Sequence, residues 1–179
     1  MRIGVFKRLI AGMERVEEQV SAERGPFSLF ALLEREDWNE YDNYPVGHSW
    51  HLFVAAPWIW EDEMVAWKYL RELAKPYEEG WNPFERSLRI QTVKLTSPYL
   101  EEVWEYCSTE NGMVEIYDVD ILDVTARRGY IFASRRPDNF DEIRQAAQQK
   151  LEQERERQDR LAKEEMARLK EEMQARGIL

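Results

Sequence analysis

The most enzyme-like residues of this 179-residue sequence are three aspartates near the end of a predicted strand: Asp118, Asp120 and Asp123. Strand periodicity places Asp118 and Asp120 on one face. Two carboxylates at the carboxyl end of an α/β strand suit a divalent cation for phosphodiester chemistry, and Lys94, near the end of the preceding strand, would stabilise developing negative charge. The same aspartates also fit a solvated strand end, because no further ligands complete the site.

Other catalytic chemistries find little support. The eight glycines are isolated, which excludes the dinucleotide fingerprint and the P-loop but leaves open a mononucleotide site of another design. His48 and His51 are the only imidazoles, and strand geometry sends them to opposite faces, so they favour structural histidines over metal ligands unless His48 lies in a loop. Cys107 falls on the apolar face of a predicted helix, and no cofactor is predicted.

Two groups suit partners better than catalysis. Trp58 and Trp60 flank Ile59 before a helix and would point the same way in an extended chain, as a platform for a base or a partner's side chain, although core packing also explains them. Two arginine pairs, 127–128 and 135–136, bracket one short strand about 25 Å apart, a spacing that favours solubilising charge at a sheet edge over one anion pocket.

Hydrophobic periodicity predicts the elements that position these residues. An amphipathic helix is expected over 4–23, two antiparallel strands over 27–33 and 48–56 with an acidic loop at 34–44, and a helix from 61 whose apolar face includes Met64 and Trp67. A third strand over 87–95, a helix from Ser97-Pro98 and a fourth strand over 113–120 predict a βαβ unit with parallel strands.

A hairpin of 122–126 and 130–134, turning at Arg127-Arg128-Gly129, completes the predicted sheet. The fold class is therefore α/β, with a mixed sheet of about five strands in the order ββαβαββ, an N-terminal amphipathic helix and a long charged C-terminal helix. Residues 1–136 are expected to form the globular domain and residues 137–179 an extended charged helix.

The C-terminal segment has no proline or glycine between 138 and 176, which predicts one continuous helix. Residues 152–160 contain no apolar side chain, so this stretch is not expected to be buried in a core. Four residues farther on are spaced as in a coiled-coil seam: Ala162, Met166, Leu169 and Met173. Association with a partner or a second copy, pairing with the N-terminal helix, and a solvated helix all remain open.

Composition restricts the function classes. The net charge is −10, of which residues 1–137 carry −8, which argues against binding of nucleic acid or anionic membranes. One cysteine excludes an internal disulfide framework, the N-terminus lacks a signal-peptide pattern, and no membrane span is expected, so a cytoplasmic location is predicted.

Two hypotheses follow. The first is a noncatalytic protein–protein interaction or oligomerisation module whose contact residues are the C-terminal seam together with Trp58 and Trp60. The second is a metal-dependent phosphodiesterase or nuclease that uses Asp118, Asp120 and Lys94.

Overall fold

The computed structural model describes residues 3–39, 44–78, 88–109 and 112–175; for residues 3–5, 36–39, 44–48 and 171–175 the backbone alone is described. The chain forms two compact units, residues 1–138 and residues 139–179.

The described residues of the first unit form the sheet and three α-helices. Its elements in chain order are α1 (Ile3–Arg24), β1 (Leu29–Asn39), β2 (Tyr44–Ala55), a 3₁₀ turn (Pro57–Trp60), α2 (Glu63–Ala74), a second 3₁₀ turn (Lys75–Tyr77), β3 (Arg89–Thr92), α3 (Pro98–Tyr106), β4 (Val114–Ile121) and β5 (Val124–Ser134). The second unit contains α4 (Phe140–Ala175). The predicted α/β class, the order of strands and helices, and both terminal helices are confirmed.

The sheet has the spatial order β3-β2-β1-β5-β4 and is mixed. Strand β1 lies at its centre and pairs antiparallel with both β2 and β5, so that Leu29 faces Ala55 on one side and Ser134 on the other. Strands β4 and β5 are also antiparallel, whereas β2 and β3 are parallel. The predicted antiparallel pairing of the first two strands is confirmed.

Burial of β1 on both faces organises the core. All five residues from Leu29 to Leu33 are fully buried, and their side chains alternate between the two faces of the sheet. Phe30 and Leu32 belong to a cluster with α1 and α2. Helix α3 is fastened to the start of β1 because the Trp104 indole donates a hydrogen bond to the Ser28 carbonyl at 2.8 Å.

The predicted βαβ unit with parallel strands across residues 87–120 is wrong. Strands β3 and β4 occupy opposite edges of the sheet and run antiparallel to each other. The parallel βαβ unit is instead β2-α2-β3. The physical reason is local, because the short connection between β4 and β5 holds them together as a hairpin, and β5 is already paired with the central strand.

The predicted turn at Arg127-Arg128-Gly129 is also wrong, because these residues lie inside β5. The hairpin turns at Leu122 and Asp123, whose φ angles of 54° and 60° place both in the left-handed region of a two-residue turn. Gly129 pairs with Leu33 on one side and Ile116 on the other, so its lack of a side chain serves close packing inside the sheet.

Two further predictions are corrected. The acidic stretch at 34–44 is largely strand, since β1 continues to Asn39 and β2 begins at Tyr44, while residues 40–43 lie outside the described residues. On α2 the buried side chains are Ala66, Leu70 and Ala74, whereas Met64 and Trp67 are exposed. Small alanines on either side of Leu70 define the buried face, and Met64 and Trp67 lie outside it.

Replacing Gly129 by alanine tests the position of the hairpin turn. A Cβ at Gly129 would lie 2.5 Å from Leu33 Cδ2 and 2.8 Å from Ile116 Cγ1, so we expect Gly129→Ala to lower the free energy of unfolding by about 1–3 kcal/mol. Urea unfolding would measure the change. The exposed α3 substitution Glu102→Ala is the control and is expected to change it by about 0.5 kcal/mol or less. An equally small effect of Gly129→Ala would contradict its place in the sheet interior.

Candidate functional site

The second unit carries the most exposed apolar side chains of the described chain. Helix α4 has 36 residues, and every described side chain from 148 to 170 is exposed, including the apolar-free stretch 152–160. Leu151 is 72% exposed, Met166 70% and Leu169 50%. The side chain of Met173, the last predicted contact residue, lies outside the described residues.

These apolar residues share one side of α4. At about 100° per residue, four of them fall within an arc of about 60°, and we call them the α4 stripe: Leu151, Ala162, Met166 and Leu169. Leu161 is also 52% exposed, but it lies about 80° from Leu151 around the helix axis and outside this arc. The predicted coiled-coil seam did not include Leu151. Five helical turns separate Leu151 from Leu169, so both residues lie on the same side of α4.

The apolar stripe of α1 is committed to the core of its own unit. Its four residues are at most 2% exposed: Leu9, Met13, Val16 and Val20. The stripe packs in one cluster with residues of the sheet and of α2, so the N-terminal helix has an apolar partner within its own unit.

The two tryptophans predicted as a joint platform both lie in the first 3₁₀ turn, which directs their side chains apart. Trp58 is half-buried and packs edge-on against Phe27 with ring centroids 5.6 Å apart. Trp60 is 40% exposed. The paired platform is wrong because Pro57 starts a helical turn here and the chain is not extended.

Trp60 instead borders a groove together with Lys94. Two pockets of about 170 Å³ and about 470 Å³ share Thr92, Val93 and Lys94 in their walls, and we call them together the β3 groove. The other described lining residues of the smaller pocket are Ile59, Trp60 and Glu63. Those of the larger pocket are Phe53, Gln91, Thr96, Ser97, Pro98 and Leu122.

The aspartates of the enzyme hypothesis are not among the described residues that line this groove. Asp118 has a left-handed φ of 46°, which interrupts the alternation expected of β4, and Asp123 belongs to the hairpin turn. Asp120 accepts a hydrogen bond from the Thr125 hydroxyl at 2.7 Å. Across the described ranges, no three His, Cys, Asp or Glu side chains come together to hold a metal ion.

The remaining nucleophile and base candidates whose side chains are described occupy buried or half-buried positions. His51 is buried, and its Nε2 lies 2.8 Å from the Ser49 hydroxyl. The side chain of His48 lies outside the described residues. Cys107 is half-buried at the end of α3, and burial raises the pKa of its thiol, which disfavours the reactive thiolate.

Sequence reasoning missed a cluster around Arg128. Its guanidinium carbon lies over the rings of Phe6, Tyr117 and Tyr130 at 4.9, 5.6 and 5.2 Å. The guanidinium donates to Glu115 Oε1 from Nη2 at 2.6 Å and from Nε at 3.0 Å, and the Tyr130 hydroxyl donates to the same oxygen at 2.7 Å. The cluster therefore ties α1, β4 and β5 together. The pairing of β4 with β5 could have revealed this cluster. The predicted hairpin turn at residues 127–129 gave these strands a different pairing and so concealed it.

The Glu115 carboxylate is stabilised in its charged form. Hydrogen bonds from Tyr117, Tyr130 and Arg128, in that order of effect, lower the pKa of Glu115 to about 2. Burial and the hydrogen bond to Glu115 raise the pKa of Tyr130. These shifts keep Glu115 anionic and Tyr130 protonated, an arrangement that holds strands together and leaves no proton ready for transfer near neutral pH.

No model of a known protein family matches this sequence, and no match was found among the curated proteins or the solved structures. None of the described helices is both long and apolar enough to cross a membrane.

A carbon-detected NMR titration of the Glu115 carboxyl is expected to give a pKa near 2. Because the folded-state pKa lies below the ordinary value, this carboxylate contributes stability at higher pH and loses that contribution as pH falls towards 2. Tyr130→Phe should raise the pKa by removing one donor, whereas Tyr99→Phe on α3 is the control. An ordinary pKa for Glu115 in the unmodified protein would contradict the cluster.

Proposed function

We propose that this protein is a noncatalytic protein–protein interaction module that associates with a second copy of itself through the α4 stripe. The observation that carries the proposal is the exposure of Leu151, Met166 and Leu169 on one side of a helix whose described side chains from 148 to 170 are all exposed.

Burial of apolar surface favours association of α4 over a solvated helix. Full burial of a leucine or methionine side chain contributes about 1.5–3 kcal/mol relative to leaving it in water. A helix without tertiary packing is only marginally stable even at favourable composition, because nucleation is costly. Contact between two copies of the α4 stripe would bury these residues and stabilise the helix at once.

The polar residues within the stripe favour a specific contact. Arg155 and Gln158 lie on the same side of α4, between Leu151 and Ala162, by the angular spacing of a helix. A polar residue in a helical seam weakens association but favours the register in which it finds a partner. Two helices joined in one register are therefore preferred over indiscriminate apolar contact.

The charge and the cysteine content agree with a protein partner in a reducing compartment. The −8 charge of residues 1–137 opposes binding of nucleic acid, because that affinity depends on cations that neutralise phosphates. Cys107 is the lone cysteine, which fits the cytoplasm.

Glutamine substitutions test the α4 stripe. Glutamine is a good helix former of similar length, so Met166→Gln with Leu169→Gln should remove apolar contact while α4 stays helical. Sedimentation equilibrium over a range of protein concentrations is expected to show a self-associating full chain and a double variant whose association is at least about tenfold weaker.

The matched control is Leu161→Gln, a substitution on the same helix outside the stripe, which should leave the association constant nearly unchanged. A monomeric unmodified chain at all concentrations would sink the proposal. So would equal weakening by the control and by the double variant.

A further inference from the structure

The β3 groove lies where an α/β sheet is best placed to bind a small molecule. Strands β2 and β3 are parallel, so both carboxyl ends lie at the same end of the sheet, and the segments that follow them lead into α2 and α3. Ligands of open α/β sheets bind outside the carboxyl ends of parallel strands. The larger pocket, at about 470 Å³, has the size of an ordinary small-molecule site.

The smaller pocket has the walls of a site for a planar ring. Trp60 borders it with 40% of its surface exposed, and Ile59 and Val93 supply further apolar surface. An exposed indole that lines a pocket offers a face on which a nucleobase stacks, and such stacking tolerates any base because every base has a π-face.

One carboxylate gives this pocket a preference among bases. Glu63, in the first turn of α2, accepts a hydrogen bond from the Thr92 hydroxyl at Oε1, which fixes the carboxylate at the wall. An ionised carboxylate only accepts hydrogen bonds. A base that presents an amino group, such as adenine, therefore complements Glu63 better than uracil does.

The larger pocket suits a phosphate. Lys94 borders both pockets, and the hydroxyl-bearing residues Thr96 and Ser97 line the larger one. A lysine ammonium binds phosphate as a point charge, and hydroxyl groups donate to its oxygens. The −8 charge of residues 1–137 disfavours a long polyanion, but a single phosphate beside Lys94 is attracted at short range and screened from distant charge.

We propose that the β3 groove binds a nucleoside monophosphate with an amino-bearing base, the base on Trp60 beside Glu63 and the phosphate at Lys94. The site is of a different design from the glycine-rich loops that the sequence lacks. It uses no residue of α4, so failure of nucleotide binding and failure of self-association can be distinguished by experiment.

Calorimetric titration of the full chain with adenosine monophosphate, uridine monophosphate and inorganic phosphate tests the site. We expect adenosine monophosphate to bind, uridine monophosphate to bind at least about fivefold more weakly, and phosphate alone weakest of the three. Trp60→Ala and Lys94→Gln should each weaken adenosine monophosphate about tenfold or more. Glu63→Gln should bring the affinities for the two nucleotides closer together.

Two exposed residues of α2 that are not among the described lining of the groove provide matched controls, Trp67→Ala and Lys68→Gln, and both should bind like the unmodified chain. Thermal unfolding of each variant separates loss of the site from loss of the fold. Absence of heat at millimolar adenosine monophosphate would overturn the proposal. So would unchanged binding in folded Trp60→Ala or Lys94→Gln, or phosphate binding as tightly as the nucleotide.

Discussion

The structure depends on burying the central strand β1 on both faces. Its residues 29–33 are fully buried, and hydrogen bonds to β2 and β5 satisfy its backbone on both sides. Covering both faces requires layers above and below the sheet, and α1 and α2 supply one of them. Pairing on both edges of β1 also forces the later strands outward, which places β3 and β4 at opposite edges.

Much of this fold was predictable from the sequence, because the signals were local. Apolar periodicity located α1 and its buried stripe, and Ser97-Pro98 marked the start of α3. Partner choice between strands was not predictable in the same way, since it depends on which edges remain open after β1 has paired. The turn at Leu122 and Asp123 was missed because leucine is rarely found with a positive φ.

The candidate sites show the same difference between features that are local in the sequence and features that depend on tertiary contacts. Helical spacing placed Ala162, Met166 and Leu169 on one side of α4, and the neighbouring stretch 152–160, which has no apolar side chain, predicted an exposed helix; both are properties of one element. The β3 groove joins Trp60 to Lys94, and the cluster around Arg128 joins α1 to β5, so both depend on tertiary contacts between segments far apart in the chain. Spacing along the chain carries no information about such contacts until the sheet order is known.

Hydrogen exchange of the full chain at several protein concentrations tests most directly whether the core is complete within the first unit while α4 requires a second copy. Amides of β1 should exchange slowest at every concentration. Amides of residues 151–170 should exchange fast in dilute solution and become protected as concentration rises. Protection of 151–170 that is as strong as that of β1 in dilute solution, or that never changes with concentration, would contradict the account.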